Sequence, residues 1–283
     1  MRNRLLPLRI THHALRITRA LIMNCYETQV SKMACFLLAL YRGDVMKKVI
    51  IIGATSGIGK ELARIFSCKG CTVGIAGRRI NLLEELKKEL PREVYSQYID
   101  IAHTDAAIIS LEKLISEMNG TDMIIISSGT GHENPELEWS LEYDTIKTNV
   151  AGFTAMAGAA FRYFVKKGGG HLAAISSVAG IRGAGDGPAY NASKAFVSNY
   201  LEGLRHRAVK MKIPVIVTDI IPGFVDTAMA KGEGLFWVAT CEKAAAQIYT
   251  ALEKKKNKVY VTKRWALIGA LLKIMPDFIY YKF

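Results

Sequence analysis

The strongest constraint on the fold is a short apolar run that leads directly into three closely spaced glycines. The run, Lys48-Val49-Ile50-Ile51-Ile52, is rich in β-branched residues and predicts a strand that is buried on both faces. Gly53-Ala54-Thr55-Ser56-Gly57-Ile58-Gly59 follows it, and apolar residues at helical spacing begin at Leu62. A strand, a glycine-rich turn and a helix in this order are typical of a dinucleotide-binding α/β fold.

The glycine-rich turn supplies the first candidates for ligand contacts. Glycines allow the backbone to approach a pyrophosphate closely, and the N-terminus of the following helix favours the negative charge of that group. A glycine-rich turn says little by itself, and its position directly after the first strand is what gives it weight. We predict that the dinucleotide is contacted by Gly53, Thr55, Ser56, Gly57, Ile58 and Gly59.

Apolar runs of strand length alternate with helical patterns along the rest of the chain. Further strands are predicted at residues 71–76, 94–99, 122–126, 171–175, 214–219 and 259–262, and helices at 81–90, 104–118, 139–167, 188–212 and 242–254. Such alternation implies a parallel sheet with right-handed crossover connections. We predict an α/β fold with a single domain, a Rossmann-type doubly wound parallel sheet of about seven strands with helices on both faces.

The distribution of charge argues against a nucleic-acid-binding protein. The formal net charge is +13, but residues 1–45 contribute +5 of it and residues 254–283 contribute +7. The middle of the chain therefore carries only +1, whereas a nucleic-acid-binding domain concentrates basic residues on one face. We predict no nucleic-acid partner.

Both ends of the chain differ from its middle. Residues 1–45 are rich in arginine, poor in acidic residues and without a clear period, so we interpret them as an N-terminal extension, with Met46 as an alternative start. Organelle transit peptides share this composition. Residues 46–263 form the predicted folded domain, and residues 264–283 form a basic, apolar C-terminal tail.

The cysteines predict neither a disulfide framework nor a metal site. They are sparse and odd in number, which suits reduced thiols in the cytoplasm. Cys68 and Cys71 have CxxC spacing, but no second Cys/His pair lies near them in the sequence. We interpret both as small buried residues and predict a cytoplasmic protein without a metal.

Two arginines follow the second predicted strand, where an NAD-binding site usually has an acidic residue. That acid holds the ribose hydroxyls of the adenosine, whereas arginine suits the additional 2′-phosphate of NADP(H). Arg78 and Arg79 therefore favour NADP(H) over NAD(H), with Arg78 as the first candidate. The alternative is a solvated arginine pair without a ligand.

Tyr190 and Lys194 are four residues apart in a predicted helix, so their side chains lie on the same face. A lysine ammonium next to a phenol favours the phenolate and lowers the tyrosine pKa from about 10 towards neutrality. A tyrosine with such a pKa can act as a general acid or base. The alternative is a chance spacing in a long helix, so the neighbouring motifs decide the interpretation.

Together these motifs resemble the short-chain dehydrogenase/reductase family over about residues 48–262. Ser177 stands 13 residues before Tyr190 and resembles the serine of the family's catalytic set, and Asn149 resembles its asparagine. One departure is Ile126-Ser127-Ser128-Gly129, which stands where the family has Asn-Asn-Ala-Gly. The resemblance implies further cofactor contacts from Asp100, Ile101, Ser128, Gly129, Tyr190, Lys194, Pro222, Gly223, Val225 and Thr227.

The resemblance implies reversible hydride transfer between NADP(H) and a carbonyl or alcohol carbon of a small molecule. Tyr190 would exchange the proton, and Lys194 would lower the tyrosine pKa and bind the nicotinamide ribose. Ser177 would hold the substrate oxygen, and Asn149 would help to hold a water that relays protons. The resemblance also implies a homodimer or homotetramer. The alternative function is a non-catalytic NADP(H) sensor of the same fold.

Apolar residues near the C-terminus bear on the substrate. Met229, Leu235, Phe236 and Trp237 form an apolar segment that suits a mobile lid, and together with residues 265–272 they favour an apolar ketone or alcohol as substrate. Core packing is the alternative use of these side chains. The basic tail is also typical of a helix that lies on an anionic membrane surface, with packing on the fold or across a subunit interface as the alternative.

Overall fold

The computed structural model describes residues 47–227 and 236–282. The predicted extension at residues 1–45 lies outside these residues, as do Met229 and Leu235. Seven strands form one sheet: β1 (Lys48–Ile52), β2 (Thr72–Gly77), β3 (Val94–Tyr98), β4 (Met123–Ile126), β5 (Gly170–Ile175), β6 (Val215–Pro222) and β7 (Lys258–Val261).

All neighbouring strands of the sheet run parallel, in the order β3-β2-β1-β4-β5-β6-β7. The central strands β1 and β4 are almost wholly apolar, and Val49 to Ile52 and Met123 to Ile126 are all buried. Burial on both faces is what a continuous apolar run predicts, because helices cover both sides of a parallel sheet. The predicted doubly wound parallel sheet is confirmed.

Nine α-helices connect or follow the strands in the described part of the chain: α1 (Gly57–Cys68), α2 (Ile80–Glu89), α3 (Thr104–Glu117), α4 (Trp139–Ile146), α5 (Phe153–Lys167), α6 (Pro188–Met211), α7 (Cys241–Glu253), α8 (Trp265–Ile274) and α9 (Asp277–Tyr280). Helices α3, α5 and α6 cover one face of the sheet with Leu114, Met156 and Leu201 among others. Helices α1, α2 and α7 cover the other face. Two apolar cores therefore hold the sheet between them.

The long helix predicted over residues 139–167 contains a change of period. Helices α4 and α5 are joined by a π-helical segment, Lys147–Gly152, which carries Asn149. A Cβ atom on Gly152 would lie 2.5 Å from the carbonyl oxygen of Ile101, so the glycine lets this segment press against the loop after β3. Segments of π-helix often occur at functional sites.

Strand β6 continues three residues beyond the predicted end at residue 219. It extends to Pro222, and Ile220, Ile221 and Pro222 pair with Val259, Tyr260 and Val261 of β7. The longer strand carries the following loop to the carboxyl edge of the sheet. None of the described helices is long and apolar enough to cross a membrane.

Candidate active site

A cleft of about 1070 Å³ opens at the carboxyl edge of the sheet. It lies over the ends of β1 and β4. The strand order reverses between these two strands, and doubly wound sheets bind their ligands at such a point. Of the residues predicted to form the site, only Gly59 and Asn149 do not line this cleft. Those that do are Gly53, Thr55, Ser56, Gly57, Ile58, Arg78, Arg79, Asp100, Ile101, Ser128, Gly129, Ser177, Tyr190, Lys194, Pro222, Gly223, Val225 and Thr227.

The glycine-rich turn after β1 brings the backbone close to the loop after β4. Gly53 has a φ of +92°, and a Cβ atom on it would lie 2.6 Å from the backbone nitrogen of Ser128. Gly57 begins α1 with a φ of +58°, also in the region that favours glycine. Gly59 faces inward, where a side chain would collide with the carbonyl of Gly53. It permits close packing of α1 and does not itself contact the cleft.

The two serines that depart from the family motif fit closely against this turn. Ser127 Oγ lies 3.0 Å from the position of a Cβ atom on Gly59, and Ser128 Oγ lies 2.8 Å from that of Gly53. Gly129 follows them and lies beside Lys194, since its Cβ atom would be 3.2 Å from the lysine Nζ. The serines therefore pack where the glycine turn leaves room.

The two arginines after β2 line the cleft, but their contacts differ. The Arg79 guanidinium donates hydrogen bonds to Thr55 Oγ1, at 3.1 Å from Nε and 2.5 Å from Nη2, and to Ser56 Oγ at 2.7 Å. Arg78 is exposed at the same rim. A guanidinium held against the hydroxyls of the glycine-rich turn is chemically suited to a phosphate. Of the two arginines, Arg79 is the one tied to the turn.

Asp100 and Ile101 form the wall of the cleft beyond β3. Asp100 Oδ1 accepts a hydrogen bond from the backbone of Ala102 at 3.1 Å, and its Oδ2 lies 3.3 Å from His103 Nδ1. The carboxylate is thus fixed by its own turn. On the opposite wall, Thr227 approaches Gly57, with its Cγ2 3.3 Å from the position of a Cβ atom there.

Ser177, Tyr190 and Lys194 come together in the middle of the cleft. The hydroxyls of Ser177 and Tyr190 share a hydrogen bond, and Ser177 also accepts one from the backbone of Ala179 at 3.1 Å. Lys194 Nζ lies 5.6 Å from the centre of the Tyr190 ring and donates to the carbonyl of Ile175 at 3.2 Å. The helical spacing thus places the phenol and the ammonium on one face, as predicted.

The electrostatics of this group differ from the prediction. Burial raises the pKa of Tyr190 above its ordinary value, and the hydrogen bond with Ser177 opposes part of that shift. Burial also lowers the pKa of Lys194 to about 8, against the charge of Asp219. The prediction that Lys194 lowers the tyrosine pKa is not met, because removal of the phenol from water is the larger effect.

Asn149 is buried behind the cleft and fixes the loop after β4. Its Nδ2 donates to the Thr130 carbonyl at 2.7 Å and to Ser193 Oγ at 3.0 Å, and its Oδ1 accepts from the Thr130 backbone at 2.9 Å. The side chain therefore joins three elements: the π-helical segment, the loop after β4 and α6. It holds Gly129 and Thr130 in place beside Lys194.

The apolar end of the cleft is built largely from residues that the sequence predicted to favour an apolar substrate, to which the structure adds Phe224 and Tyr280. Its lining includes Phe224, Phe236, Trp265, Ile268, Leu272 and Tyr280. The rings of Phe224, Phe236 and Trp265 contact one another, with centroid distances of 5.2–5.8 Å. Phe236 belongs to the segment predicted as a lid, and the tail residues cover this end of the cleft with α8 and α9.

Arg182 fastens the tail to the loop before α6. Its Nη1 donates to the carbonyls of Leu272 and Met275 at 3.3 and 2.9 Å, and its Nη2 to Asp277 Oδ1 at 2.6 Å. The guanidinium also lies 4.3 Å from the centre of the Tyr280 ring. No short-range sequence pattern indicates these contacts, since they join residues about 90 positions apart.

This fold and this cleft define the class of dinucleotide-binding α/β oxidoreductases. A family model described as short chain dehydrogenase matches residues 47–235. An uncharacterized oxidoreductase of Mycobacterium tuberculosis is 30% identical over 246 residues, which cover 83% of this chain and 96% of that protein. The chain belongs to the short-chain dehydrogenase family.

A further relative agrees with that assignment, and solved structures share the fold. Dehydrogenase/reductase SDR family member 7B of Danio rerio is 29% identical over 67% of this chain and 64% of its own length. A Burkholderia phymatum member in complex with NAD superposes with a TM-score of 0.73 at 17% identity, over 80% of this chain and 92% of its own. A Thermococcus sibiricus alcohol dehydrogenase complexed with 5-hydroxy-NADP superposes with a TM-score of 0.67 at 21% identity, over 76% of this chain and 96% of its own. These two structures support the fold.

Proposed function

We propose that this protein is an NADP(H)-dependent oxidoreductase that interconverts a carbonyl and an alcohol on a small apolar molecule. The observation that carries the proposal is the convergence of Ser177, Tyr190 and Lys194 in one cleft, facing the glycine-rich turn. The nicotinamide supplies hydride chemistry when it is bound. The chain itself must orient the substrate and handle one proton.

The Ser177 and Tyr190 hydroxyls together bind the substrate oxygen. During reduction that oxygen gains negative charge, and Tyr190 gives it the phenolic proton while Ser177 donates a second hydrogen bond. The raised pKa of Tyr190 keeps the phenol protonated at neutral pH, as a proton donor requires. The Lys194 ammonium stabilises the phenolate that remains and binds the ribose hydroxyls. Lys194 then passes a proton to the phenolate, and a water supported by Asn149 returns a proton to Lys194.

The substrate follows from the walls of the cleft. Aromatic and aliphatic side chains of Phe224, Phe236, Trp265 and Leu272 line its far end, and the nearby cation, Arg182, is already paired with Asp277. A pocket of this kind gains free energy from the burial of apolar surface. We therefore propose a ketone or alcohol with a bulky apolar substituent.

The test is an NADPH-oxidation screen over aliphatic, steroid and acyl thioester carbonyl compounds, followed by Tyr190→Phe. This variant removes only the phenolic oxygen, so we expect turnover to fall by about 100-fold or more while NADPH binding changes little. Tyr200→Phe on the same helix is the matched control, since Tyr200 packs against Phe153 and Phe196. Normal turnover by Tyr190→Phe would exclude the proposed mechanism.

We also propose that the outer surface of α8 and α9 rests on an anionic membrane. Exposed apolar side chains recur at helical spacing there, with Leu267 77% exposed, Ile274 79% and Phe278 70%. Lys263, Arg264, Lys273 and Lys282 surround them, and the single acid, Asp277, is paired with Arg182. An apolar stripe between cations suits anionic lipid, whereas a second copy would bring like charges together.

Sedimentation with vesicles that contain anionic phospholipid tests this surface. We expect the Leu267→Glu/Ile274→Glu variant to lose binding, and the control Ile109→Glu, which alters an apolar residue on α3 that is 67% exposed, to keep it. Equal sedimentation of both variants would contradict a membrane role for α8. The protein would then be a cytoplasmic enzyme without membrane contact.

We propose self-association through the helical stretch at residues 139–167, beginning with α4. Trp139, Tyr143 and Ile146 form an exposed apolar stripe on α4, 70%, 50% and 40% exposed respectively. A patch of this kind suits a subunit interface. We propose a homodimer or homotetramer. Sedimentation velocity over a range of concentrations tests it, and a monomer at every concentration would contradict it.

A further inference from the structure

A buried carboxylate that the proposed mechanism does not use lies beneath the catalytic cleft. Asp219, on β6, is fully buried, at 0% exposure. Its Oδ1 accepts a hydrogen bond from Ser176 Oγ at 2.6 Å. Burial raises the pKa of Asp219 above its ordinary value, and the hydroxyls of Ser176 and Ser198 oppose that shift. A carboxylate this far from water is costly unless charged or polar groups compensate for it.

Ser176 links this carboxylate to the catalytic lysine. Lys194 Nζ donates to the carbonyl of Ile175, the residue before Ser176, while the Ser176 side chain donates to Asp219. Ile175 and Ser176, adjacent at the end of β5, therefore hold Lys194 and Asp219 respectively. Lys194 and Ser198, which lies close to Asp219, are one turn apart on α6.

Two other cations lie near Asp219, and both oppose the effect of burial on its pKa. Arg205, on α6, donates to the carbonyls of Val217 and Asn257, at 3.2 and 2.9 Å. Lys258, on β7, forms an ion pair with Glu202 at 2.9 Å and is partly exposed. Both contribute to the field at the carboxylate. Lys194 is the buried cation on the cleft side of it, and Asp219 is the group that opposes the loss of its charge.

We propose that Asp219 is a positioning residue of the active site, which keeps Lys194 in its ammonium form beneath Tyr190. It contacts neither substrate nor cofactor and acts only through the lysine. The carboxylate supplies the negative charge that an ammonium needs in a site closed to water. The proposal deepens the oxidoreductase function above and rests on it.

The test is the pH dependence of turnover in Asp219→Asn. An amide keeps the shape of the side chain and removes its charge. Burial then lowers the pKa of Lys194 further, because the negative charge that opposed this shift is gone. Turnover that requires the ammonium should then begin to fall at lower pH, by about one unit or more, and recover towards the wild-type rate as the pH is lowered. An unshifted profile, or a loss that is equal at every pH, would overturn the proposal.

Two further variants keep the test decisive. Asp122→Asn removes a carboxylate at the opposite edge of the sheet, where Lys167 pairs with it, and should leave the profile unshifted. If Asp219→Asn does not fold, Ser176→Ala/Ser198→Ala removes both hydroxyl donors and makes the carboxylate easier to protonate, so the same shift is expected. An absence of shift in that variant would also overturn the proposal. A wild-type chain inactive on every carbonyl would instead remove the proposed function itself.

Discussion

Gly131 lies directly against the ring of Tyr190. A Cβ atom on this glycine would be 2.6 Å from Cδ2 of the tyrosine and 2.9 Å from Cε2. The loop after β4 thus sets the position of the phenol from one side, while the hydrogen bond with Ser177 sets it from the other. The orientation of the phenol therefore depends on a residue with no reactive group.

Gly131→Ala is expected to displace the tyrosine ring and lower turnover. A misplacement of about 1 Å at a reacting group costs on the order of 100-fold, so we expect a loss of about 10- to 100-fold with the fold intact. Gly185→Ala is the control, because nothing lies within 4 Å of the added atom. Steady-state rates and thermal unfolding of both variants measure the effect. Wild-type turnover by Gly131→Ala would mean that the ring position is not critical.

The pH dependence of the wild-type enzyme follows from Lys194. Its pKa is lowered to about 8, so the ammonium is present at neutral pH and is lost as the pH rises through that value. The pKa of Tyr190 is raised above its ordinary value, so the phenol stays protonated over the same range. Turnover in the reduction direction should therefore fall above about pH 8. A rate that stayed constant up to pH 10 would show that the charge of Lys194 is not required.

Much of this site could be predicted because its signals are local in sequence. The strand, glycine turn and helix at residues 48–68 each follow from a short pattern, and the four-residue spacing of Tyr190 and Lys194 fixes their common face. The family assignment is confirmed by the family model that matches residues 47–235. Local periodicity and turn chemistry were sufficient for these features.

Other features could not be predicted because they depend on tertiary contacts. Asp219 looks like the end of a strand in the sequence, since an acidic residue seldom lies in the core, and only its hydroxyl partners show why it can. The π-helical segment at Lys147–Gly152 packs Gly152 against the carbonyl of Ile101, a contact with another element that the local sequence pattern does not show. The contact of Arg79 with the glycine-rich turn depends on its side-chain rotamer, which sequence spacing does not specify.

The two arginines after β2 should differ in their effect on cofactor affinity. Arg78→Ala should weaken the binding of NADPH by about 10-fold or more and change the binding of NADH little, because only NADPH carries the 2′-phosphate. Arg79→Ala should weaken both, since it also releases the hydroxyls of Thr55 and Ser56 in the turn that receives the pyrophosphate. Fluorescence titration of each variant with both cofactors measures this. If Arg78→Ala lost affinity for NADPH and NADH equally, Arg78 would not recognise the 2′-phosphate.

The tail should affect substrate binding through Arg182. The guanidinium joins the C-terminal end of α8, Asp277 and the Tyr280 ring to the loop before α6, and Tyr280 itself donates to the carbonyl of Gly183 at 2.8 Å. Arg182→Ala removes the first three contacts together and frees the helices that cover the apolar end of the cleft. We expect KM for a bulky apolar substrate to rise by about 10-fold, because the entropic cost of ordering α8 and α9 would then oppose substrate binding.

A small substrate distinguishes this effect from general damage to the enzyme. A short aliphatic carbonyl compound does not reach Leu272 or Tyr280, so its kcat/KM should change little in Arg182→Ala, and NADPH affinity should also be kept. Arg207→Ala, at an exposed position of α6, is the control for loss of a surface arginine. If Arg182→Ala lowered kcat/KM equally for small and bulky substrates, the tail would support the catalytic residues themselves and not the substrate end of the cleft.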